Sequence, residues 1–382
     1  MKPVYFDHAA TTPLAPEALE AMRPYFCGAY GNPSSLHSFG RSARKGCAQG
    51  REQLASLLGA DPSELFFTSG GSESDNWALK GLAWANCSRG RHIVTTAIEH
   101  HAVLHSCDWL EQQGFEVTRL PVDADGRVDP AVVAAALRKD TILVSIMTAN
   151  NEVGTLEPIE EVGAMLRERG ILFHTDAVQA VGHIPLDMHQ LPIDALSLSG
   201  HKFYGPKGIG ALYLRRGTRI ASWIHGGAQE RNLRAGTENT AGIVGIGAAA
   251  AEAAARMGTE LAALLALRQQ LEQGILALPG AWINGTAAKL PGHVSFGLRG
   301  LTSEVLLIRL DLAGFAVSAG SACSAGSLEP SHVLAAMGQS VDQANAAVRV
   351  SFGRGNSSRE VSRLLELLGG WQGLGGQDKI FC

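Results

Sequence analysis

The sequence predicts an α/β fold with a large domain on a mostly parallel seven-stranded sheet and a smaller C-terminal α/β domain. Between residues 60 and 215, short apolar segments of strand length alternate with longer helix-like segments, which is typical of a parallel sheet covered by helices. The chain has 382 residues, more than one hydrophobic core usually organises. Residues 241–278 are rich in Ala and Leu and predict one or two long helices that link the domains.

The predicted elements follow in order along the chain. Each strand is a short apolar run; strands are predicted at residues 65–67, 91–96, 115–120, 141–147, 171–175, 193–198 and 210–214. Longer segments with helical character lie between strands, and helices are predicted at residues 72–85, 101–113 and 158–169. We assign residues 13–256 to the large domain, and residues 1–12 with 257–382 to the small domain. In such sheets, binding residues gather beyond the carboxyl ends of the strands.

Composition and charge exclude several classes of protein. Apolar residues make up 46% and charged residues 18% of the chain, which indicates a globular protein. The net charge of −4 without a long basic run argues against nucleic-acid binding. No apolar run approaches about 18 residues and the first residues lack a signal-peptide core, so we expect a cytoplasmic protein. The six cysteines have no zinc spacing, no metal is expected, and four are expected to be buried: Cys27, Cys47, Cys87 and Cys107.

Residues 199–208 are the most informative segment, because Lys202 lies there in a loop with glycine and proline that follows an apolar strand. A lysine in that position can form a Schiff base with an aldehyde. Asp176 falls at the end of an earlier strand, where a carboxylate is costly unless it is paired. Asp176 can hold a protonated pyridine nitrogen and Gln179 can donate to a phenolic oxygen, which makes pyridoxal phosphate the predicted aldehyde. Taken alone, Asp176 is better explained as a cap of the following helix.

Two further strand ends carry residues suited to the same cofactor. Gly70 and Gly71 precede a helix that begins at Ser72, and free N–H groups at a helix start bind phosphate. His100 follows the next strand and can stack on a planar ring or exchange protons. Each signal alone is also compatible with an ordinary helix start. Together with Lys202, they predict one cofactor site at successive strand ends of a single sheet.

The ordered set of motifs resembles the cysteine desulfurases, of group I, in the class V branch of pyridoxal-phosphate enzymes with the aspartate-aminotransferase fold (fold type I). The resemblance covers almost the whole chain, and its motifs are residues 7–12, 31–37, 68–74, 99–100, 150–154, 176–179, 199–202, 234–239, the loop around Cys323, and 353–354. Residues 234–239 and the short Gly-rich tail are closer to the nitrogenase-associated type than to the housekeeping iron–sulfur type.

The resemblance implies a role for each cofactor-binding residue. Lys202 would bind the cofactor covalently, His100 would stack on its ring, Asp176 would pair with the pyridine nitrogen and Gln179 with the phenolic oxygen. Thr237 would reach the phosphate in the partner subunit's site, which implies a homodimer. The remaining phosphate ligands would be Gly71, Ser72, Ser199 and His201.

The second informative segment is residues 318–327, which contain only Ser, Ala, Gly and one cysteine, Cys323. Little side-chain area is available for burial there, so we expect an accessible thiol. The residues alone also allow an incidental cysteine in a small-residue loop. The resemblance implies that Cys323 takes sulfur from the substrate as a persulfide. It also implies that Arg354, after a predicted strand at residues 348–352, binds the substrate carboxylate with Asn151 as a second contact.

The reaction implied by the resemblance is removal of sulfur from L-cysteine, which gives L-alanine and a persulfide on Cys323. Lys202 would remove the Cα proton, and His100 is the candidate proton donor. The persulfide would pass to a sulfur-acceptor protein such as an iron–sulfur scaffold. Three alternatives stay open: a selenocysteine lyase, another class V enzyme, and a non-catalytic scaffold of cluster assembly with the same fold.

Overall fold

The computed structural model describes residues 3–286, 288–320 and 330–371. The strands are β1 (Val4–Tyr5), β2 (Leu65–Thr68), β3 (His92–Thr96), β4 (Glu116–Leu120), β5 (Thr141–Ser145), β6 (Leu172–Asp176), β7 (Ala195–Ser199), β8 (Gly210–Leu214), β9 (Ala281–Asn284), β10 (His293–Leu298), β11 (Phe315–Ala316) and β12 (Ala347–Ser351). The helices are α1 (Pro16–Met22), α2 (Pro24–Cys27), α3 (Ser38–Leu58), α4 (Gly71–Asn86), α5 (His101–Gln112), α6 (Pro130–Ala136), α7 (Ile159–Glu168), α8 (Gln229–Asn232), α9 (Thr240–Leu276), α10 (Ser303–Leu312), α11 (His332–Ala336), α12 (Val341–Ala344) and α13 (Ser358–Gly370).

The seven-stranded sheet has the strand order β2-β8-β7-β6-β5-β3-β4. Neighbours from β7 to β4 are parallel, whereas β8 is antiparallel to both β2 and β7. Each strand lies within two residues of its predicted bounds, so the predicted mostly parallel sheet is confirmed. All residues of β3, β5 and β7 are buried, as expected when helices cover both faces of a parallel sheet.

A second, smaller core forms around the three-stranded antiparallel sheet β12-β10-β9. The N-terminal strand β1 pairs in parallel with β11, and Phe6 packs in this core with Phe296, Leu310 and Val361. The first residues of the chain therefore pack with residues 264–368. The domain bounds given above stay a prediction.

One long helix contributes to both cores. Residues predicted to form one or two helices form a single 37-residue helix, α9. Its first half packs closely on α3, where a Cβ at Gly247 would lie 2.4 Å from the Cα of Gly50. Its second half contributes Leu267 and Leu271 to the smaller core. The small residues of its first half thus allow the close helix contact, and the leucines of its second half fill the other core.

The sheet brings the predicted site residues to one edge. The parallel strands β3, β5, β6 and β7 end there, and the segments with His100, Asn151, Asp176 and Lys202 follow or complete them. No helix in the described part of the chain is long and apolar enough to cross a membrane. Cys47 and Cys107 are buried as expected. The prediction was wrong for Cys27, which is exposed because the short surface helix α2 buries none of its residues, and Cys87 is only partly buried.

Candidate cofactor site

Lys202 lies in a single 3₁₀ turn, Gly200–Lys202, that follows β7 directly. Its Nζ donates to the carbonyl oxygens of Ala9 and Ala10, at 2.5 and 2.9 Å. Both carbonyls belong to residues 7–12, a motif of the family resemblance to which no individual role was assigned. The amine is thus held at the edge of the sheet by a segment more than 190 residues earlier in the chain.

Asp176 and Gln179 lie next to this amine. Asp176 is the last residue of β6, is buried, and accepts a hydrogen bond from the N–H of Val178 at 2.9 Å. Burial raises the pKa of the Asp176 carboxyl, against the opposing effects of that hydrogen bond and of Lys202. The side-chain amide of Gln179 donates to the Ala9 carbonyl at 3.0 Å, the same oxygen that accepts from Lys202.

A second buried carboxyl, Asp75 of α4, lies behind Asp176 and was missed from the sequence. Its Oδ1 lies 3.7 Å from His174 Nε2 and has no hydrogen-bond partner among the described residues. Burial raises the pKa of the Asp75 carboxyl well above its usual range, Asp176 adds to this, and the Ser197 hydroxyl opposes it. Burial lowers the pKa of His174 to about 3, so this ring is neutral. Asp75 could have been identified from the sequence because it is an acidic residue on the apolar side of α4.

His100 is the N-cap residue of α5, and its Nδ1 accepts a hydrogen bond from the N–H of Ala102 at 3.1 Å. The neutral ring therefore carries its proton on Nε2. Burial lowers the pKa of His100 to about 4, and the positive charge of Lys202 acts in the same direction. One ligand atom from each of His100, Asp75 and Asp176 falls within 4.8 Å of the others. These three side chains are close enough to hold a metal ion, and the two carboxyls alone could pair with a protonated ring nitrogen.

A glycine-lined cup adjoins these residues at the start of α4. Gly70 has φ 158° and ψ −178°, a conformation that is essentially restricted to glycine. A Cβ at Gly71 would lie 2.5 Å from Val178 Cγ2, so only glycine fits there without displacing Val178. The cup has a volume of about 430 Å³ and its lining includes Ser72, Ser199 and His201. The free N–H groups of a 16-residue helix face a space suited to phosphate.

Most of the predicted site residues line one cavity of about 200 Å³ that adjoins the cup. Those that the structure brings together are His100, Asn151, Asp176, Gln179, Lys202, Gly71, Ser72, Ser199 and His201. This set fits pyridoxal phosphate on three counts: a lysine amine, a buried carboxyl pair in which one Asp75 oxygen has no partner among the described residues, and a glycine cradle at a helix start. The fit rests on the chemistry of each side chain and on its position in the cavity.

Arg354 is the predicted site residue that the structure does not bring into this cavity. Its Nε donates to Glu260 at 2.6 Å, and its guanidinium lies 4.1 Å from the centre of the Tyr204 ring. It lies beyond Gly353, after β12 has ended, so its side chain faces a different cavity. The geometry thus departs from the prediction that Arg354 contacts the substrate in this cleft.

Arg349, within β12, takes that place and was missed from the sequence. It is 2% exposed, and its guanidinium donates to the Asn151 carbonyl and to Asp7, both at 2.8 Å. Its Nε is buried and has no hydrogen-bond partner in the described part of the chain. The available signal was the strand alternation, because Val348 and Val350 fill one face and Arg349 lies on the other.

The two remaining predicted residues are Thr237 and Cys323. Thr237 is exposed and lines neither the cavity nor the cup of its own chain. Cys323 lies outside the described residues, so its proposed role stays a prediction.

Known proteins provide an independent comparison. Residues 4–364 match the family model described as Aminotransferase class-V. A protein of Methanosarcina thermophila named "Cysteine desulfurase IscS" is 51% identical over 368 residues, which cover 96% of this chain and 91% of that protein. A Bacillus subtilis protein named "Putative cysteine desulfurase IscS 1" is 48% identical and covers 94% of this chain and 96% of its own length.

Solved structures agree with these sequence matches. A structure titled "NIFS-LIKE PROTEIN" superposes with a TM-score of 0.92 at 39% identity, covering 97% of this chain and all of that one. Another, titled "SspA in complex with cysteine", has a TM-score of 0.81 at 39% identity and covers 91% of this chain and 98% of its own. The chain therefore belongs to the cysteine desulfurase group of the class-V aminotransferase family, whose members depend on pyridoxal phosphate.

Proposed function

We propose that this chain removes sulfur from L-cysteine with pyridoxal phosphate as its resident cofactor. The observation that carries the proposal is the cavity in which Lys202, Asp176 and His100 meet beside the glycine cup. The 51% identity to a protein named as a cysteine desulfurase, and a similar structure titled as a cysteine complex, favour this substrate over other amino acids. The products are L-alanine and a persulfide on Cys323.

The chain's own residues hold the cofactor and move the protons. When bound, pyridoxal phosphate supplies an electron sink that acidifies the Cα–H bond of the amino acid. Lys202 Nζ, which the Ala9 and Ala10 carbonyls hold at the cavity, takes the Cα proton and returns it. Asp176 would hold the protonated pyridine nitrogen, and because burial raises the pKa of this carboxyl, it would be a strong hydrogen-bond acceptor there. His100 would stack on the ring, and its Nε2–H would be the proton donor on that side.

The substrate carboxylate binds Arg349, which replaces Arg354 in this role. The Arg349 guanidinium is buried and is fixed by Asn151 and Asp7, and its Nε–H has no partner among the described residues. Such an unsatisfied buried donor is costly, and an incoming carboxylate removes that cost. Asn151 adds a second contact, consistent with its place in the cavity lining.

Sulfur transfer and assembly complete the proposal. The Cys323 thiolate forms an S–S bond with the substrate sulfur as the C–S bond breaks, with the bonding electrons remaining on the carbon fragment. The persulfide then passes to an acceptor protein such as an iron–sulfur scaffold in the cytoplasm. Two chains form a homodimer in which Thr237 of each contacts the phosphate in the partner's site.

The test is turnover of L-cysteine by the purified holoenzyme, with alanine and persulfide both measured. Cys323→Ser should abolish alanine formation and retain the visible absorbance of the bound cofactor. Cys27→Ser is the matched control, because Cys27 is an exposed free thiol outside the cavity, and it should behave as the native enzyme. If Cys323→Ser still forms alanine at the native rate, Cys323 is not the nucleophile. The same assay with L-selenocysteine separates a desulfurase from a selenocysteine lyase.

A further inference from the structure

The turn at α8 carries an unusual backbone. Three consecutive residues with side chains adopt left-handed dihedrals: Glu230 (φ 42°), Arg231 (φ 58°) and Asn232 (φ 66°). The left-handed region is unfavourable for residues that carry a Cβ. Runs of such residues persist only where the surrounding structure over-determines them, and they concentrate at sites that clamp ligands. The surroundings of this turn therefore indicate what it serves.

The Glu230 side chain ties the turn to β2. Glu230 is 8% exposed, and its carboxylate accepts from both terminal nitrogens of Arg51, at 2.7 and 3.0 Å, and from the N–H of Phe67 at 3.2 Å. Arg51 and Arg231 each also donate to the Leu65 carbonyl at 2.6 Å. These contacts, which we call the Glu230 brace, fix the turn against the strand that leads into the glycine cup.

A second tie lies just beyond the turn. Arg234 donates to both carboxylate oxygens of Glu73, at 2.9 and 3.2 Å, and Glu73 also accepts from the N–H of Ser69 at 2.7 Å. Glu73 lies in the first turn of α4 and lines the cup. The N–H of Gly236 donates to the Gln229 side chain at 3.2 Å, which closes the loop on itself.

The tip of this loop points away from its own site. Thr237 is exposed and lies outside the cavity and the cup of its own chain. Two residues later, Asn239 caps α9 by accepting from the N–H of Gly242 at 3.0 Å. Thr237 is therefore presented outward by a segment that is fixed at both ends, which is the arrangement expected of a preformed contact for another chain.

We propose that Glu230 is a positioning residue that, through the brace, holds Thr237 in the shape needed to bind the cofactor phosphate of the partner subunit. The inference rests on the proposed homodimer and on the phosphate contact of Thr237. The brace is anchored on the backbone of Leu65 and Phe67, so β2 supports the turn that leads to Thr237, while β2 itself is held by its pairing with β8. Loss of the brace should weaken the partner's site while the chain's own site stays intact.

The first measurement is the rate of pyridoxal phosphate loss from the holoenzyme into excess cofactor trap. Glu230→Gln and Thr237→Val should each accelerate loss about tenfold, the effect of losing one hydrogen bond to a charged group. Glu272→Gln is the matched control, because it removes a partly buried carboxylate that pairs with Lys289 away from the cavity and cup. An unchanged rate for Glu230→Gln overturns the proposal.

Mixed dimers decide which site the brace serves, because Lys202→Ala leaves a single covalent site. In the first dimer, a Glu230→Gln subunit that keeps Lys202 is joined to a Lys202→Ala subunit that keeps Glu230. In the second, a native subunit is joined to one with both Lys202→Ala and Glu230→Gln. We expect fast cofactor loss only from the second. Fast loss only from the first, or equal rates in both, overturns the proposal.

Further measurements distinguish a failure of the brace from a failure of the proposed homodimer. If Glu230→Gln does not fold, Arg51→Lys weakens the same brace and should give the same asymmetry between mixed dimers. A native chain that is monomeric by light scattering overturns both the homodimer and the brace. A dimer that turns over cysteine but shows no asymmetry overturns the brace alone.

Discussion

The cofactor cavity and the Glu230 brace are both buried clusters of charge, but they differ in how completely their polar atoms are paired. In the cavity, Asp75 Oδ1 and Arg349 Nε are buried without hydrogen-bond partners among the described residues. In the brace, both oxygens of Glu230 accept hydrogen bonds. A buried polar atom without a partner costs free energy. The incomplete cluster is therefore suited to a ligand, and the complete one to fixing the backbone.

The largest effect is expected at Lys202. Lys202→Ala removes both the covalent anchor and the base, so alanine formation should fall by at least about 10³-fold. The visible absorbance of the bound cofactor should also change, as checked by spectra of the purified protein. Lys80→Ala, a lysine of α4 that contacts Asn76 instead of the cavity, is the control and should retain activity. A native spectrum for Lys202→Ala would exclude the lysine from the cofactor site.

The free energy of unfolding should respond differently when the carboxylates of the two clusters are replaced by neutral side chains. Glu230→Gln breaks a buried ion pair and should lower the free energy of unfolding by about 3 kcal/mol. Asp75→Asn replaces a carboxyl whose pKa burial already raises, so unfolding should change by less than about 1 kcal/mol while cofactor binding weakens. Urea unfolding of the cofactor-free proteins measures both. If Glu230→Gln and Asp75→Asn lower the free energy of unfolding equally, the two clusters do not differ in how much their carboxylates stabilise the fold.

The two arginines near the end of β12 allow the same comparison for substrate binding: the guanidinium of Arg349 is buried, whereas that of Arg354 is partly exposed and already paired. Arg349→Lys loses the planar fork and should raise the KM for L-cysteine on the order of 50-fold. Arg354→Lys alters a partly exposed pair with Glu260 and should leave KM nearly unchanged. Steady-state kinetics on both variants settles the assignment. The reverse ranking would restore Arg354 as the carboxylate ligand.

Glu157 tests whether an unpaired carboxyl always marks a ligand. Its Oε1 is buried without a partner in the described chain, yet it lies outside the cofactor cavity. Burial raises the pKa of Glu157 to about 8, so the folded protein keeps a proton that the unfolded chain releases near pH 4.5. Its contribution to stability is present below pH 4.5 and is lost as the pH rises towards 8.

Glu157→Gln should therefore flatten this part of the pH dependence and raise the free energy of unfolding at pH 8 by about 2 kcal/mol. Urea unfolding at pH 5 and pH 8 provides the measurement, with Glu160→Gln, a neighbouring exposed carboxylate, as control. If the two variants behave alike, Glu157 is ionised in the folded state, and protonation does not explain its missing partner.

Much of the site was predictable because local signals define where strands end. The positions of Lys202, Asp176 and His100 follow from apolar runs and from the polar or glycine residues that terminate them. The glycine cup was visible for the same reason, since Gly70 is the N-cap of α4 and Gly71 is its first residue. These features depend on residues within a few positions of one another.

The rest depended on contacts between distant segments. Arg349 lies within β12 and Arg354 just beyond it, and the packing of β12 against Asn151 and Asp7 makes Arg349 the cavity residue. Asp75 resembles any acidic residue of an early helix turn until the sheet places Asp176 beside it. The left-handed turn at Glu230 carries no glycine to reveal it, and the contacts that hold it, with Arg51 and with β2, come from distant parts of the chain.

The sequence by itself determined the α/β class, the seven strands and the polar residues at their ends, because periodicity and capping are properties of neighbouring residues. Only the tertiary structure decided which of those ends meet, which arginine is buried, and that the Ala9 carbonyl holds the amine of Lys202. The reason is that burial and pairing arise when the chain closes on itself, and distances along the sequence do not encode them.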